Sequence, residues 1–179
     1  MNQLSLLDTP PAERQSRPGA KIVAFTVYGQ AQPAGSKSSF VPRDKRTGQP
    51  FQKNGRIIVN TVDSNPKSKD WKNQVSYEAR KAYTGPLLEG PLRFTLTVHR
   101  VRPGGHFKKC NGVSTDQLSS EGRATPYPIT KPDVLKLARG VEDALSGVIY
   151  RDDAQICDER LLKVWGEQAR IDVTIEVLT

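Results

Sequence analysis

An apolar stripe with helical spacing in the last third of the chain constrains the fold more than any other sequence feature. Within residues 133–145 the apolar side chains recur at the i, i+3, i+4, i+7 and i+11 positions of one helix face: Val134, Leu137, Ala138, Val141 and Leu145. Gly147 follows as an end signal. Because such a helix must bury its apolar face, we expect a layered domain.

Alternating stretches predict the sheet that receives this helix. Five segments are typical of strands: residues 21–28, 56–62, 91–101, 155–165 and 170–178. A further helix is predicted between Asn65-Pro66 and Gly85-Pro86. The order β-β-α-β-α-β-β predicts an α+β (mixed α/β) domain, with a small mixed sheet and two main helices.

The remaining segments favour one domain over residues 21–179. The length of 179 residues suits a single core. Residues 1–20 are polar and contain three prolines, which predicts a disordered tail. Residues 102–130 lack periodicity and are rich in glycine, serine and lysine, which predicts a long loop. With no apolar run of bilayer length and no signal peptide, we expect a cytoplasmic protein.

The cysteines, histidines and tryptophans indicate no further chemistry. The two cysteines and two histidines are not at the spacing of a structural zinc site. We expect His99 on a strand face and His106 on the surface. Trp71 and Trp165 are interpreted as anchors of the core or of a dimer interface.

Charge is distributed unevenly along the chain. The net charge of +8 is typical of a protein that binds a polyanion. Residues 131–159 nevertheless contain seven acids and four bases, so that an acidic island lies in a basic chain. The island is either a solvated helix face or a metal-binding centre within a surface that attracts phosphates.

The acids of the island have a structural and a catalytic interpretation. Asp133 stands at the first turn of the predicted helix, where a carboxylate is favoured as a cap. Asp152 and Asp153 are adjacent before a predicted strand, and neighbouring carboxylates repel each other unless they are solvated or bridged by a cation. Mg²⁺ takes oxygen ligands, often one or two carboxylates together with waters and a substrate phosphate. The residues alone leave both interpretations open.

The island also resembles a known family. Residues 131–165, with PD, KLARGVEDALSGV and YRDDAQI in this order, resemble the core of the RusA-type Holliday-junction resolvases. The first strand and VDSNPKSKDWKNQV match more loosely. The resemblance implies a small, basic, homodimeric and magnesium-dependent endonuclease, bacterial or phage-encoded. Such an enzyme resolves Holliday junctions by paired phosphodiester cleavage in DNA recombination and repair.

The resemblance assigns roles to four acids. Asp133 and Asp153 match catalytic aspartates of the family, and Asp143 and Asp152 match acids that recur beside them. Asp133 and Asp153 would hold Mg²⁺, for which Mn²⁺ substitutes, while Asp143 or Asp152 assists directly or through water. The metal would lower the pKa of a water that attacks the phosphodiester. Two sites in a symmetric dimer would make paired nicks across a four-way junction.

Leu135 departs from the family's pattern, which is PDxDN followed by a lysine. It stands at the second aspartate and cannot bind a metal, whereas Lys136 replaces the asparagine and Arg139 replaces the lysine. Both cations are candidates for contact with the scissile phosphate. Three outcomes stay open: Asp143 or Asp152 replaces the missing ligand, one metal suffices, or the protein binds junctions and cuts poorly. Leu135 lies outside the core stripe, so we expect it to be exposed.

A basic run around a predicted hairpin or loop is the second candidate surface for DNA. Phe40 and Phe51 are interleaved with its cations: Lys37, Arg43, Lys45, Arg46, Lys53 and Arg56. Such a run can follow a phosphate backbone and stack on unpaired bases, although a solvated loop is the alternative. Lys163, on the strand after the acid pair, is interpreted as a further DNA contact or as a plain exposed lysine.

A short peptide near the N-terminus suggests a second partner. The sequence QLSLLD resembles the peptides with which bacterial replication and repair proteins bind the sliding clamp. Its anchors would be Gln3, Leu4, Leu6 and Leu7. A meaningless tail is the alternative, because patterns this short arise by chance.

The leading interpretation is therefore a structure-selective, Mg²⁺-dependent DNA endonuclease. A non-catalytic protein that binds branched DNA is the first alternative, because Leu135 removes one acid of the family's pattern. The second alternative is a basic RNA-binding or structural domain in which the acid pair is a coincidence.

Overall fold

The computed structural model describes residues 21–35, 37–63 and 65–178. The elements of these residues, in chain order, are β1 (Ile22–Tyr28), β2 (Lys37–Phe40), β3 (Gln52–Lys53), β4 (Arg56–Ile57), β5 (Asn60–Asp63), α1 (Lys67–Ala82), β6 (Leu92–Val101), β7 (Phe107–Cys110), β8 (Val113–Leu118), α2 (Ser120–Ala124), α3 (Val134–Leu145), β9 (Ile156–Gly166) and β10 (Arg170–Val177). None of the helices in this part of the chain is long and apolar enough to cross a bilayer. The predicted tail, residues 1–20, lies outside the described residues.

A four-stranded mixed sheet in the order β1-β10-β6-β9 carries the fold. The pairs β1–β10 and β10–β6 are antiparallel, and β6–β9 is parallel. In β6, Leu92, Phe94, Leu96 and Val98 are buried, whereas Thr95 and Thr97 between them are only half-buried. This alternation is that of a strand with one face on the core. It confirms the predicted strand over residues 91–101.

Helices α1 and α3 pack against each other and supply the core on that face of the sheet. The predicted stripe of α3 is buried at Leu137, Ala138, Val141 and Leu145, and half-buried at Val134. Full burial of a large aliphatic side chain stabilises a fold by about 1.5–3 kcal/mol, so the stripe fixes α3 firmly on the sheet. The α+β prediction is confirmed.

The prediction of a long loop over residues 102–130 is wrong. The segment forms the hairpin β7–β8 and the short helix α2. Asn111 and Gly112, both with positive φ, make the turn of the hairpin. An Asn-Gly pair is a strong hairpin signal, but the polar composition around it hides the strands. The segment is tied to the domain by Arg102, whose Nη1 donates to the Gly122 carbonyl at 2.9 Å.

His106 is buried rather than on the surface as predicted. Its ring stands edge-on to Trp165, with centroids 5.3 Å apart, and the Arg102 guanidinium lies 5.2 Å from the same indole. The indole Nε1 of Trp165 donates to the Thr125 carbonyl at 2.9 Å. Trp165 therefore anchors the β7–α2 segment, while Trp71 lies in the main core.

Residues 37–63 form an arm of two nested hairpins. β2 pairs with β5, and β3 pairs with β4 inside that hairpin. The strand predicted over residues 56–62 is thus two short strands, β4 and β5, that belong to different hairpins. Asn54 and Gly55, again with positive φ, form the inner turn. The arm is inserted between β1 and α1, so it projects from the core elements instead of joining the main sheet.

Candidate active site on helix α3

Helix α3 lies antiparallel to β9, which divides the predicted acids into two groups. Lys163 of β9 donates to the carbonyl of Pro132, just before the helix begins. Glu159, on the same strand, is hydrogen-bonded to Glu142 in the last turn of the helix. Nine residues of helix and four residues of strand both span about 13 Å, so the two contacts agree. Asp133 and Glu142 therefore lie at opposite ends of α3.

At the N-terminal end, the Asp133 carboxylate does not cap the helix that it precedes. Asp133 occupies the N-cap position, yet its side chain makes no capping hydrogen bond. The side chain is 63% exposed, and the nearest cationic nitrogen is Lys136 Nζ at 3.8 Å. The capping interpretation therefore does not account for this residue. Its carboxylate oxygens are accessible to a ligand.

Asp133 and Lys136 line a cleft of about 450 Å³. The opposite wall is the segment after β1, residues 30–35, whose Ala34 amide donates to the Lys136 carbonyl at 2.8 Å. Gly140 allows this close approach, because a Cβ there would lie 3.3 Å from the Gln32 carbonyl oxygen. The segment of residues 30–35 therefore packs directly against the N-terminal half of α3, the helix that Asp133 precedes.

Both ends of the arm meet at this cleft. The chain that enters the arm lines the cleft as far as Gly35, and the chain that leaves the arm lines the cleft at Asn65. Asn65 Nδ2 donates to the Pro33 carbonyl at 3.1 Å, which closes the base of the arm. The base of the arm and Asp133 therefore line the same cleft.

At the C-terminal end, four acids crowd together. Burial raises the pKa of Glu142 to about 7, and its hydrogen bond to Glu159 and the charges of Glu159, Asp153 and Asp143 add to the shift. Glu142 is consequently protonated in part of the molecules near neutral pH, where an ordinary glutamate is ionised. The sequence reasoning missed Glu142 and Glu159, because the pairing of α3 with β9 cannot be derived from their spacing.

The two assisting acids already have partners. Asp143 accepts from Lys72 Nζ at 2.7 Å. Asp152 accepts from the amide of Ala154 at 2.9 Å and caps the single turn Asp153–Gln155. A ligand role for either acid would have to compete with these bonds. That they replace the missing acid of the family's pattern stays a prediction.

An exposed face of α3 connects the two ends. Leu135 is 66% exposed, as expected from its position outside the stripe. Lys136 and Arg139 are also exposed and lie along the helix between Asp133 and Glu142. Two cations therefore stand between the two groups of acids, where they can contact an anionic substrate.

The oxygen donors at each end suit Mg²⁺, which often takes only one or two carboxylates with waters and substrate oxygens. Asp133 and Asp153 both have exposed side chains. Within residues 21–35, 37–63 and 65–178, however, no group of three or more His, Cys, Asp or Glu residues is arranged to hold a metal ion. The chain thus offers single carboxylates at two places and leaves the other ligands to water and substrate.

The cations of the arm are exposed wherever their side chains are described: Arg43, Lys45, Arg46, Lys53 and Arg56. Phe40 and Phe51 are each 48% exposed among them. Arg43 donates to the Gly48 carbonyl at 3.0 Å, which stiffens the first turn. The predicted hairpin is confirmed. The structure does not describe the side chain of Lys37. Nor does it describe the predicted clamp-binding residues Gln3, Leu4, Leu6 and Leu7.

Together, these features define an α+β domain with exposed carboxylates and cations suited to chemistry on a polyanion. The sequence model of the family described as "Endodeoxyribonuclease RusA" matches residues 45–176. The chain belongs to the RusA endodeoxyribonuclease family. It is also 28% identical over 153 residues to the uncharacterized protein YqaN of Bacillus subtilis (strain 168), covering 86% of this chain and 94% of that protein. The matched residues include α3, β9 and most of the arm.

Proposed function

We propose that this protein is a structure-selective, Mg²⁺-dependent DNA endonuclease that resolves four-way junctions by paired phosphodiester cleavage. The observation that carries the proposal is the accessible Asp133 carboxylate, which lines a cleft at the base of a basic arm. The chain belongs to a family of DNA endonucleases, which supports the same chemistry. Mn²⁺ is expected to substitute for Mg²⁺, since both take oxygen ligands.

The protein's own residues orient the substrate. Asp133 and Asp153 lie at opposite ends of α3, so they are proposed as ligands of separate Mg²⁺ ions, and an ion at Asp133 would supply charge stabilisation at the scissile phosphate. Lys136 and Arg139 bind the same phosphate, and the fork of Arg139 suits two of its oxygens. The cleft wall formed by residues 30–35 confines the strand on the opposite side. Because Asp133 and Asp153 lie at opposite ends of α3, substitution of each residue tests the proposal separately.

The arm is the proposed surface for the DNA backbone. Its exposed guanidinium and ammonium groups contact phosphates without reading sequence. Phe40 and Phe51 provide exposed rings on which unpaired bases at a junction can stack. A homodimer would present two arms and two clefts, which paired cleavage of a four-way junction requires.

A junction-cleavage assay tests the proposal. The protein should cleave a synthetic four-way junction in Mg²⁺ and leave a linear duplex of the same sequence intact. Asp153→Asn should reduce cleavage by more than about 100-fold while junction binding in EDTA is kept. The control is Asp116→Asn, which removes an exposed acid on β8, far along the chain from the site. Full cleavage by Asp153→Asn would remove Asp153 from the proposal.

The alternative is a branched-DNA-binding protein that does not cut. Leu135 favours it, because an exposed leucine stands where the family's pattern has an acid. Binding of the junction with no cleavage in Mg²⁺ or Mn²⁺ would establish this alternative. A preference for duplex RNA over branched DNA in a competition gel would instead favour an RNA-binding domain.

We also propose that residues 3–8, QLSLLD, bind the bacterial sliding clamp. A short tail with leucine anchors can order when it binds an apolar pocket. Deletion of residues 1–9 should abolish capture by immobilised clamp and leave junction cleavage in solution unchanged. Clamp capture that survives the deletion would show that the peptide is not the contact.

A further inference from the structure

We infer that Arg100 and Lys163 are positioning residues for Asp133. The two cations hold the backbone carbonyls of residues 130–132 and so fix the start of α3, together with its exposed carboxylate. The inference rests on the proposed function, since it gives Asp133 a role at the DNA phosphate. It assigns Lys163 an internal task that differs from the DNA contact expected from the sequence.

Five hydrogen bonds make up the arrangement. Arg100 Nη1 lies 2.8 Å from the carbonyl oxygen of Lys131 and 3.3 Å from both the carbonyl oxygen and Oγ1 of Thr130. Lys163 Nζ donates to the carbonyls of Thr130 at 3.0 Å and Pro132 at 3.1 Å. Each carbonyl in the three residues before Asp133 thus accepts from at least one cation.

The sheet explains how the two cations come together. β6 and β9 are parallel neighbours, and Lys163 is paired with Val98. Val98 is buried on the helix-facing side, and Arg100 follows it by two residues, so Arg100 and Lys163 share that side. Both side chains therefore reach from rigid strands to the irregular segment that joins α2 to α3.

That segment has few other restraints. Between Ala124 and Val134 no residue belongs to a helix or strand. Pro128 is buried, but Ile129 is 84% exposed and Thr130 and Lys131 are exposed as well, so apolar packing does not hold residues 129–131. A displacement of about 1 Å at a reacting group can cost about 100-fold in rate. The hydrogen bonds from Arg100 and Lys163 therefore restrain residues 130–132 directly before Asp133, while packing of the stripe and the bond from Ala34 hold the helix that follows.

The charges support the same assignment. Burial lowers the pKa of Lys163, and the positive charge of Arg100 lowers it further, while Asp133 acts in the opposite direction. Two cations placed side by side repel each other, and a nearby carboxylate offsets this cost. Neutral side chains could hold the carbonyls without that repulsion. Lys163 also has a favourable electrostatic interaction with the Asp133 carboxylate.

The decisive comparison is between Lys163→Met, Lys163→Arg and the control Arg160→Met. Arg160 is an exposed cation of the same strand on the opposite side of the sheet, so its loss matches the charge change. We expect Lys163→Met to lower kcat for junction cleavage by about 100-fold, with KM and with junction affinity in EDTA within twofold of the parent. Lys163→Arg keeps a cationic donor and should restore kcat to within about tenfold, since a positioning role needs only that donor.

A second measurement does not depend on cleavage. Hydrogen exchange at the amides of Leu137 to Gly140, the first amides of α3 that have an acceptor within the helix, should be faster in Lys163→Met and in Arg100→Met than in the parent, while exchange in β10 is unchanged. Unaltered exchange at these amides would overturn the inference. So would a loss of junction affinity in EDTA with a shallower salt dependence, because that result identifies Lys163 as a phosphate contact.

Failure of the inference is distinguishable from failure of the proposed function. Full cleavage by Lys163→Met would overturn the positioning role and leave the nuclease intact. A parent protein that binds junctions but cuts none would overturn the nuclease, and the hydrogen-exchange result would then decide whether Arg100 and Lys163 still fix the start of α3.

Discussion

The two ends of helix α3 place carboxylates in opposite surroundings. At the N-terminal end, Asp133 is exposed, near Lys136, and within electrostatic range of Lys163. At the C-terminal end, Glu142 is half-buried among three other acids, and burial together with these acids raises its pKa to about 7. An acidic side chain is therefore accessible at one end of the helix, whereas at the other end Glu142 is half-buried and has a raised pKa. An accessible carboxylate can bind a cation directly, whereas the raised pKa of Glu142 makes that group a weaker ligand near neutral pH.

The contrast shows that an acidic island in a sequence need not be one site. The density of acids over residues 131–159 suggests a single centre. In the fold, α3 separates the acids by its length, and Lys72 and the amide of Ala154 occupy two of them. The neighbours of each carboxylate decide its function, and its position in the chain does not.

The largest expected effect concerns Asp133. Asp133→Asn should reduce junction cleavage by more than about 100-fold, because the neutral amide removes the accessible charge of the N-terminal end. Glu142→Gln, which mimics the protonated state at the C-terminal end, should change cleavage at pH 7 by less than about threefold. Single-turnover rates on a synthetic junction check both. An inversion of these two results would identify Glu142, and not Asp133, as the acid on which cleavage depends.

Much of this fold could be predicted from sequence because its strongest patterns are local. The stripe of α3 and the alternation of β6 led to the correct elements, and Asn65-Pro66 marked the start of α1. The hairpin β7–β8 was missed because lysine, serine and glycine obscure the alternation, although Asn111-Gly112 signalled its turn.

The candidate site was less accessible to sequence reasoning, because its contacts join distant parts of the chain. Arg100 reaches Thr130, and Glu142 reaches Glu159. Both contacts depend on the parallel register of β6 and β9 and on the direction of α3 across them. No spacing in the sequence encodes these relations. Leu135 was correctly predicted to be exposed, because the helical period alone determines that property.

An intermediate effect is expected at Leu135, which lies near Asp133 at the N-terminal end of α3. Leu135→Asp would place a second carboxylate two residues from Asp133 on the exposed face of α3. We expect the Mg²⁺ concentration for half-maximal cleavage to fall by about tenfold, since a further oxygen ligand can tighten a divalent site. Metal titrations of the cleavage rate measure the change. Leu135→Asn is the control for polarity without charge, and equal effects of the two substitutions would argue against metal binding.

The smallest expected effect concerns stability at the C-terminal end. The pKa of Glu142 is about 7 in the folded protein and near the ordinary glutamate value of 4.5 when unfolded, so the native state binds more protons between these values. The contribution of Glu142 to the free energy of unfolding therefore falls as the pH rises from about 4.5 to about 7. The full shift corresponds to about 3 kcal/mol, which solvent screening of a half-exposed group reduces to about 1 kcal/mol.

Glu142→Gln should therefore match the parent at pH 4 and be more stable by about 1 kcal/mol at pH 8, because glutamine cannot ionise. Urea unfolding in EDTA at both pH values gives the two free energies, and EDTA keeps divalent cations from altering the titration. The difference in unfolding free energy between Asp116→Asn and the parent should be the same at both pH values, since Asp116 is exposed on β8. A Glu142→Gln protein with the parent's pH profile would mean that Glu142 ionises freely. The two ends of α3 would then differ in exposure and not in charge state.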